Sequence, residues 1–428
     1  MTDHPQQKTP PPLVTVIMAN FRGAQHIEAA MHAVLRQSHE QIELIVSDDA
    51  SDDDSYAIVT HIAATDPRVR LITAQTRGGP ARARNGALAV ARGEWIAIVD
   101  ADDLVHPERI MRMLDAAAAL GADMVADDMM PFGNLAATAQ GTLYGATLAQ
   151  GPRTITAADM IASPPLGYLK PLIRRTTLGA LRYDESLHNG EDFDLYLRLL
   201  LKGARLVLLP QPTYLYRRHA SSTSHRLSAG VLQPLLAAHD RLTPTSPEIA
   251  ALLGRRRKGL VRSLRYARLV DAVKARNRVG ALWLLLKHPV LVADLAESLR
   301  DRRRRHAATP ADTAPPTGPI VLAAPDDARL AQGSLAKATL IAVGRAPSDG
   351  QYPDDTALAA QLCRLHAYAA PDVTAIGLTG LRGLGYLPGW HSLSVLLTPE
   401  EAAIAGALLP KDITPVIAPY PATSKSSR

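Results

Sequence analysis

The first half of the chain alternates short apolar runs with amphipathic ones. "LVTVIM", from Leu13, reads as a buried strand, "AQHIEAAMHAVLRQS" as a helix and "IELIVSDD" as a second strand. The rhythm continues through helix "SYAIVTHIAAT", strand "VRLIT", helix "GPARARNGALAVA" and strand "EWIAIVD". Strands alternating with helices at this spacing predict a mostly parallel sheet covered on both faces. Helix "HPERIMRMLDAAAAL" and strand "ADMVADDMM" follow, and residues 131–160 carry no assignable period. Then come helix "EDFDLYLRLLLKG", with Gly203 as its expected C-terminal stop, and two strands, "ARLVLLP" and "TYLYRRH". In such sheets ligands bind beyond the carboxyl ends of the strands. Two acidic clusters, Asp48/Asp49 and Asp100/Asp102/Asp103, fall at such ends.

The pattern divides the 428 residues into five stretches. Residues 1–12 are polar and Pro-rich, a disordered leader. The α/β unit occupies 13–225, a basic helical extension 226–305, and a Pro/Ala/Thr linker 306–319. A smaller α/β unit fills 320–428, with strands "PIVLAA", "ATLIAVG", "DVTAIGL" and "LSVLL"; its Gly-rich "GLTGLRGLGYLPGW" reads as turns.

Composition changes the picture in two places. Cys363 is the single cysteine, which excludes a disulfide framework and a multi-cysteine metal site and fits a reducing cytoplasm. No secretory layout opens the chain, and no apolar run approaches the ~20 residues that span a bilayer. Charge is uneven: residues 255–305 hold 16 Lys and Arg against 4 Asp and Glu, a net +12, so the whole-chain +6 leaves −6 elsewhere. Leu260, Val261, Leu264, Ala267 and Val270 fall at helical spacing, with Arg262, Arg265 and Arg268 between them. Such a helix suits anionic lipid headgroups on the inner face of a membrane; the plainer alternative is a helix packed on the α/β unit. The segment lacks interleaved aromatics, so nucleic acid is not expected.

The candidate chemistry starts from a cost. Three carboxylates within four positions, Asp100, Asp102 and Asp103, repel one another by about 3 kcal/mol per pair at close spacing and a near-surface dielectric. A cation should offset this, and Mg²⁺ or Mn²⁺ favours oxygen sites shared with substrate phosphates. The Gly-Gly turn before "PARARNGAL", with Arg82, Arg84 and Asn85 on the helix, suits phosphate. Glu191 and Asp192 open another helix, where a carboxylate could remove a proton from a hydroxyl.

Four motifs in order over Leu13–Ser224 resemble the inverting family 2 glycosyltransferases of the GT-A fold: "VTVIMANFR", "LIVSDDASDDDS", "RGGPARARNGALAVARGEWIAIVDADD" and "YDESLHNGEDFDLYLRL". The sequence departs from the usual pattern at Ala19 for Pro, Arg22 for Asn and Ala50 for Gly. The resemblance implies a metal-dependent inverting transfer from a nucleotide-sugar, a UDP-sugar first, to a saccharide or lipid-linked saccharide acceptor in polysaccharide or envelope glycan assembly. It implies Asp192 as base with Glu191 beside it. Asn20, Phe21, Asp48, Asp49, Arg84, Asn85, Asp100 and Arg217 would bind the donor. Asp102, Asp100 and His219 would hold the metal. The alternative is a non-catalytic nucleotide-sugar-binding or scaffold protein on the same fold.

Overall fold

The computed structural model describes residues 10–132, 142–145, 148, 151–218 and 228–300 (294 and 297–299 excepted). Beyond these it describes 318–324, 327–331, 335, 338–342, 362, 372–387, 393–406 and 416–417. The expected leader up to residue 9, most of the linker and His219 lie outside the described residues.

The larger sheet is built from β1 (Val14–Asn20), β2 (Ile42–Asp48), β3 (Val69–Thr73), β4 (Trp95–Ile98), β5 (Leu104–Val105), β6 (Met124–Phe132), β7 (Arg153–Ile155), β8 (Leu172–Arg174) and β9 (Leu206–Arg217). Their order is β3-β2-β1-β4-β8-β6-β9-β5, with β7 also on β9. Strands β3, β2, β1 and β4 run parallel, with Asn20 opposite Asp48 at the carboxyl end of the β1–β2 pair. Every residue of β2 and β4 is buried, as expected of strands covered on both faces. Helices α1 (Ile27–Leu35), α2 (Ser55–Thr65), α3 (Pro80–Val90) and α4 (Arg109–Leu120) supply the crossovers. Gly121, at φ 60°, ends α4 in the left-handed conformation that a side chain would resist.

Three residues, Leu172–Arg174, form a strand that the sequence pattern did not predict. β8 pairs antiparallel with both β4 and β6 and knits the two parallel halves together. Its stem places Lys170 at the carboxyl side of the sheet. The two strands expected around Pro210 and Pro212 are one, β9, because pairing with β6 resumes after a register shift between Asp127 and Met129. Short helices α5 (Ala157–Ala162) and α6 (Arg175–Leu178) precede α7 (Glu191–Leu201). Gly190, at φ 82°, stands just before α7, and Gly203 follows it at φ 93°.

Helices α8 (Ala229–Asp240), α9 (Pro247–Lys274) and α10 (Arg278–Lys287) form the basic extension. Leu264 and Ala267 of α9 are buried against Leu232 of α8. The apolar stripe expected to face lipid is therefore largely spent on packing.

The smaller sheet, β11-β10-β12-β13-β14, is parallel: β10 (Ile320–Ala323), β11 (Thr339–Ala342), β12 (Val373–Ile376), β13 (Leu393–Leu397) and β14 (Val416–Ile417). Helices α11 (Gly377–Leu384) and α12 (Pro399–Ala405) lie beside it. The glycines expected to form turns instead build α11, because the helix must lie close to the sheet. A Cβ on Gly380 would fall 2.3 Å from the Leu322 carbonyl oxygen. The two units share one apolar core, in which Leu104, Met130, Phe132 and Leu215 meet Ile320, Leu322, Leu381 and Leu384.

Candidate active site

A cleft of about 660 Å³ opens where β1 and β4 end. Asn20, Phe21, Arg84, Asp100, Asp102, Glu191, Asp192 and Arg217, predicted from sequence, all line it. At its floor two cations bind three carboxylates. Arg84 on α3 reaches Asp100 at 2.8 Å and Glu191 at 2.7 Å, with Asp192 at 3.4 Å. Lys170 lies 2.8 Å from Asp100 and 2.7 Å from Asp192. Sequence reasoning missed Lys170, since a lone lysine in "YLKPLIRR" carries no local signal of its partners.

These contacts set the charges. Burial pushes the Asp100 carboxyl up, but the Lys170 ammonium and Arg84 guanidinium outweigh it and hold it well below the usual carboxylate range. Burial would lower Lys170, yet Asp100 and Asp192 keep it above its ordinary value. Glu191 is raised, by burial and then by the Asp192 charge. Asp192 Oδ2 accepts from Lys170, while Oδ1, buried, accepts no hydrogen bond and has the Arg84 guanidinium 3.4 Å away. An unsatisfied buried acceptor is costly and suits an incoming hydroxyl.

Asp103 turns inward. It accepts from the Tyr214 hydroxyl and the Arg217 amide, both at 2.7 Å. Burial first, then the Asp102 and Asp100 charges, push its carboxyl well above the ordinary value. Tyr214 in turn accepts the Asp100 amide, and Arg217 Nε donates to the Asp102 carbonyl, so β9 clamps the acidic turn. Arg217 packs over the Phe132 ring at 4.4 Å.

Four expected site residues are placed otherwise. Asp48 accepts from Asn20 and from the backbone and hydroxyl of Ser51, forming the turn after β2. Asp49 accepts the Gly78 and Gly79 amides at 2.7 Å each, so an internal carboxylate occupies the amides expected to cradle phosphate. Asn85 exchanges hydrogen bonds with the Tyr183 backbone and donates to Glu185, pinning that loop to α3. None of these three is on the cleft wall. Asp100, expected to share the metal, has both oxygens on Arg84 and Lys170. Among the described residues no three His, Cys, Asp or Glu side chains converge on a metal position. Asp102 also lies on the cleft wall, and its backbone carbonyl accepts from Arg217 Nε. That donor set fits a hard divalent ion shared with substrate phosphates, not a closed protein cage.

Two features were not read from sequence. Asn20 Oδ1, buried, accepts no hydrogen bond, beside a Phe21 ring with Arg77 stacked at 4.0 Å. Arg256 of α9 reaches the cleft and stacks on Phe193 at 3.8 Å, with no carboxylate partner among the described residues. Burial pushes Arg256 down to about 10.

The family model "Glycosyl transferase family 2" matches residues 15–136. The succinoglycan biosynthesis protein ExoO of Rhizobium meliloti is 32% identical over 343 residues, covering 75% of this chain and 97% of that protein. The Escherichia coli UDP-Glc:alpha-D-GlcNAc-diphosphoundecaprenol beta-1,3-glucosyltransferase WfgD is 28% identical over 188 residues, covering 44% of this chain and 70% of that one. Among solved structures, S. aureus TarS 1–349 with UDP gives a TM-score of 0.47 at 18% identity, over 57% of this chain and 70% of that one. A near full-length match to one relative, together with the family model across the strands that build the cleft, gives the conclusion that the chain belongs to glycosyl transferase family 2 and is a glycosyltransferase.

Proposed function

We propose that this glycosyltransferase moves a sugar, with inversion, from a UDP-sugar to a lipid-linked saccharide during bacterial polysaccharide assembly. The observation that carries the reading is Asp192 Oδ1: a buried carboxylate oxygen on the cleft wall that accepts no hydrogen bond and has only the longer 3.4 Å ion pair to Arg84. An acceptor hydroxyl placed there gives its proton to Asp192 as its oxygen bonds to the anomeric carbon. The bond to the nucleoside diphosphate breaks on the opposite face. Lys170 fixes the Asp192 carboxylate in place, and Arg84 ties Glu191 to Asp100. Asn20 Oδ1 would accept an imide N–H of the base. Asp102 would hold Mn²⁺ or Mg²⁺, whose chemistry when bound is to neutralise charge on the leaving diphosphate. Arg217 would contribute a second positive charge there. Arg256, an unpaired cation beside Phe193, would meet an anionic group of the acceptor.

The polysaccharide setting rests on the names of the relatives, and the lipid-linked acceptor on that of WfgD. Calorimetric titration with UDP, GDP and dTDP, with and without Mn²⁺, tests the donor site. The expected result is Mn²⁺-dependent binding of UDP, weakened about tenfold or more in Asp102→Asn. Equal, metal-independent binding in wild type and variant would remove the metal from the proposal.

A further inference from the structure

The basic extension carries an apolar face that is exposed among the described residues. On α10, Val279 is 81% exposed, Leu282 58%, Trp283 56% and Leu286 73%. Their spacing, i, i+3, i+4 and i+7, puts all four on one side of the helix. The opposite side is already used: Ala281, Leu284 and Leu285 are half-buried, and α10 packs against α9. The exposed face is therefore not a mispositioned core face. After α10 ends, Val290 and Val292 are exposed as well.

Charge says what this face meets. Arg276 and Arg278 precede the stripe and Lys287 follows it, all exposed, and Lys287 stacks on Trp283 at 4.5 Å. Arg262, Arg265 and Arg268 of the neighbouring α9 are exposed as well. A water-facing protein surface would not pair a Trp, two Leu and a Val with a cationic border. A helix lying in the headgroup layer does: the apolar face enters the acyl boundary, Trp sits at the interface, and Lys and Arg stay with the phosphates. A protein partner of such a patch would require matching acidic residues, whereas an anionic bilayer supplies the charge and the apolar layer together.

We infer that α10 is the docking face by which the enzyme lies on an anionic membrane surface. Val279, Leu282, Trp283 and Leu286 insert, and the flanking Arg and Lys bind lipid phosphates. The position differs from the α9 stripe that the sequence suggested, because Leu264 and Ala267 there pack on α8. The purpose rests on the proposed lipid-linked acceptor; the binding itself stands on the residues of α10.

Co-sedimentation of the full chain with phosphatidylcholine vesicles, with and without phosphatidylglycerol, tests it. The expected result is binding that needs phosphatidylglycerol, weakens with salt, and falls about tenfold or more in Leu282→Glu/Leu286→Glu. Trp283→Ala should give a smaller loss in the same direction. Both variants change exposed side chains, and unchanged circular dichroism and UDP binding show that they remain folded. No binding to either vesicle overturns the inference. So does binding that the double variant leaves intact. A wild-type dimer that the double variant makes monomeric, without vesicle binding, assigns the face to a second copy and also overturns it. Failure of UDP binding in wild type with vesicle binding intact would count against the donor reading, not against this face.

Discussion

At the scale of single residues, the site is a charge balance. Asp100, Glu191 and Asp192 would repel one another at the cleft floor, and Arg84 and Lys170 are the counter-charges within the protein. Lys170 donates to Asp192 directly, so it should hold the proposed base in place. Lys170→Met should lower kcat about tenfold or more with UDP affinity unchanged, and Lys170→Arg should restore part of the rate. An equal loss of kcat and UDP affinity would make Lys170 merely structural. The carboxylates were legible because each stands at a strand end or helix start. Lys170 and Arg256 were not, because their roles come from partners far along the chain. Ala50 and Arg22 show the reverse. Both departures from the family pattern fall at positive φ, 61° and 52°, where a side chain costs about 1–2 kcal/mol. The turn holding Ala50 is clamped by Asp48 through Ser51, which explains why Asp48 serves the fold and not the cleft.

At the scale of elements, the apolar runs marked most of the catalytic sheet correctly, since continuous Val, Ile and Leu strands leave little choice of state. What they did not mark are β5, β7 and β8, too short for a period, and α11, whose glycines argue locally for turns. Tertiary packing decided these. The elements are locked by charge at one hidden point. Arg109 on α4 pairs with Asp127 on β6 at 2.8 Å, with both side chains buried, and donates to the Lys170 carbonyl. The pair thus joins the sheet to the segment that presents the site lysine. Arg109→Ala leaves Asp127 buried without its cation, and chemical denaturation should show a loss of about 3–5 kcal/mol. A loss under about 1 kcal/mol would mean that the pair is open to water.

At the scale of the whole molecule, the small C-terminal sheet is joined to the catalytic unit through His106. Its Nδ1 accepts the Glu108 amide, so Nε2 carries the proton and donates to the Arg382 carbonyl at 3.1 Å. Burial, then the Arg112 charge, hold its pKa down to about 4. The imidazole therefore stays neutral in the fold while an unfolded one would take a proton below its ordinary value. Stability from this contact should fall as pH drops from there towards 4. Gly385 makes the approach: a Cβ there would lie 2.4 Å from the His106 ring and 2.7 Å from Pro107. Gly385→Ala should push the two units apart, seen as faster proteolysis of the C-terminal unit and a lower thermal midpoint. An unchanged digestion pattern would show that the interface adapts. The sequence indicated this second unit but not its contact, because the shared core is made by strand and helix residues whose apolar character looks the same wherever they pack.

The central claim is that Asp192 removes the acceptor proton, and one comparison tests it most directly. Sugar transfer by wild type and Asp192→Asn would be measured with the same donor and acceptor, beside UDP affinity for each. The account predicts a fall in kcat of about a hundredfold or more in the variant, with UDP affinity unchanged. Transfer at the wild-type rate in Asp192→Asn would contradict it and place the base elsewhere in the cleft.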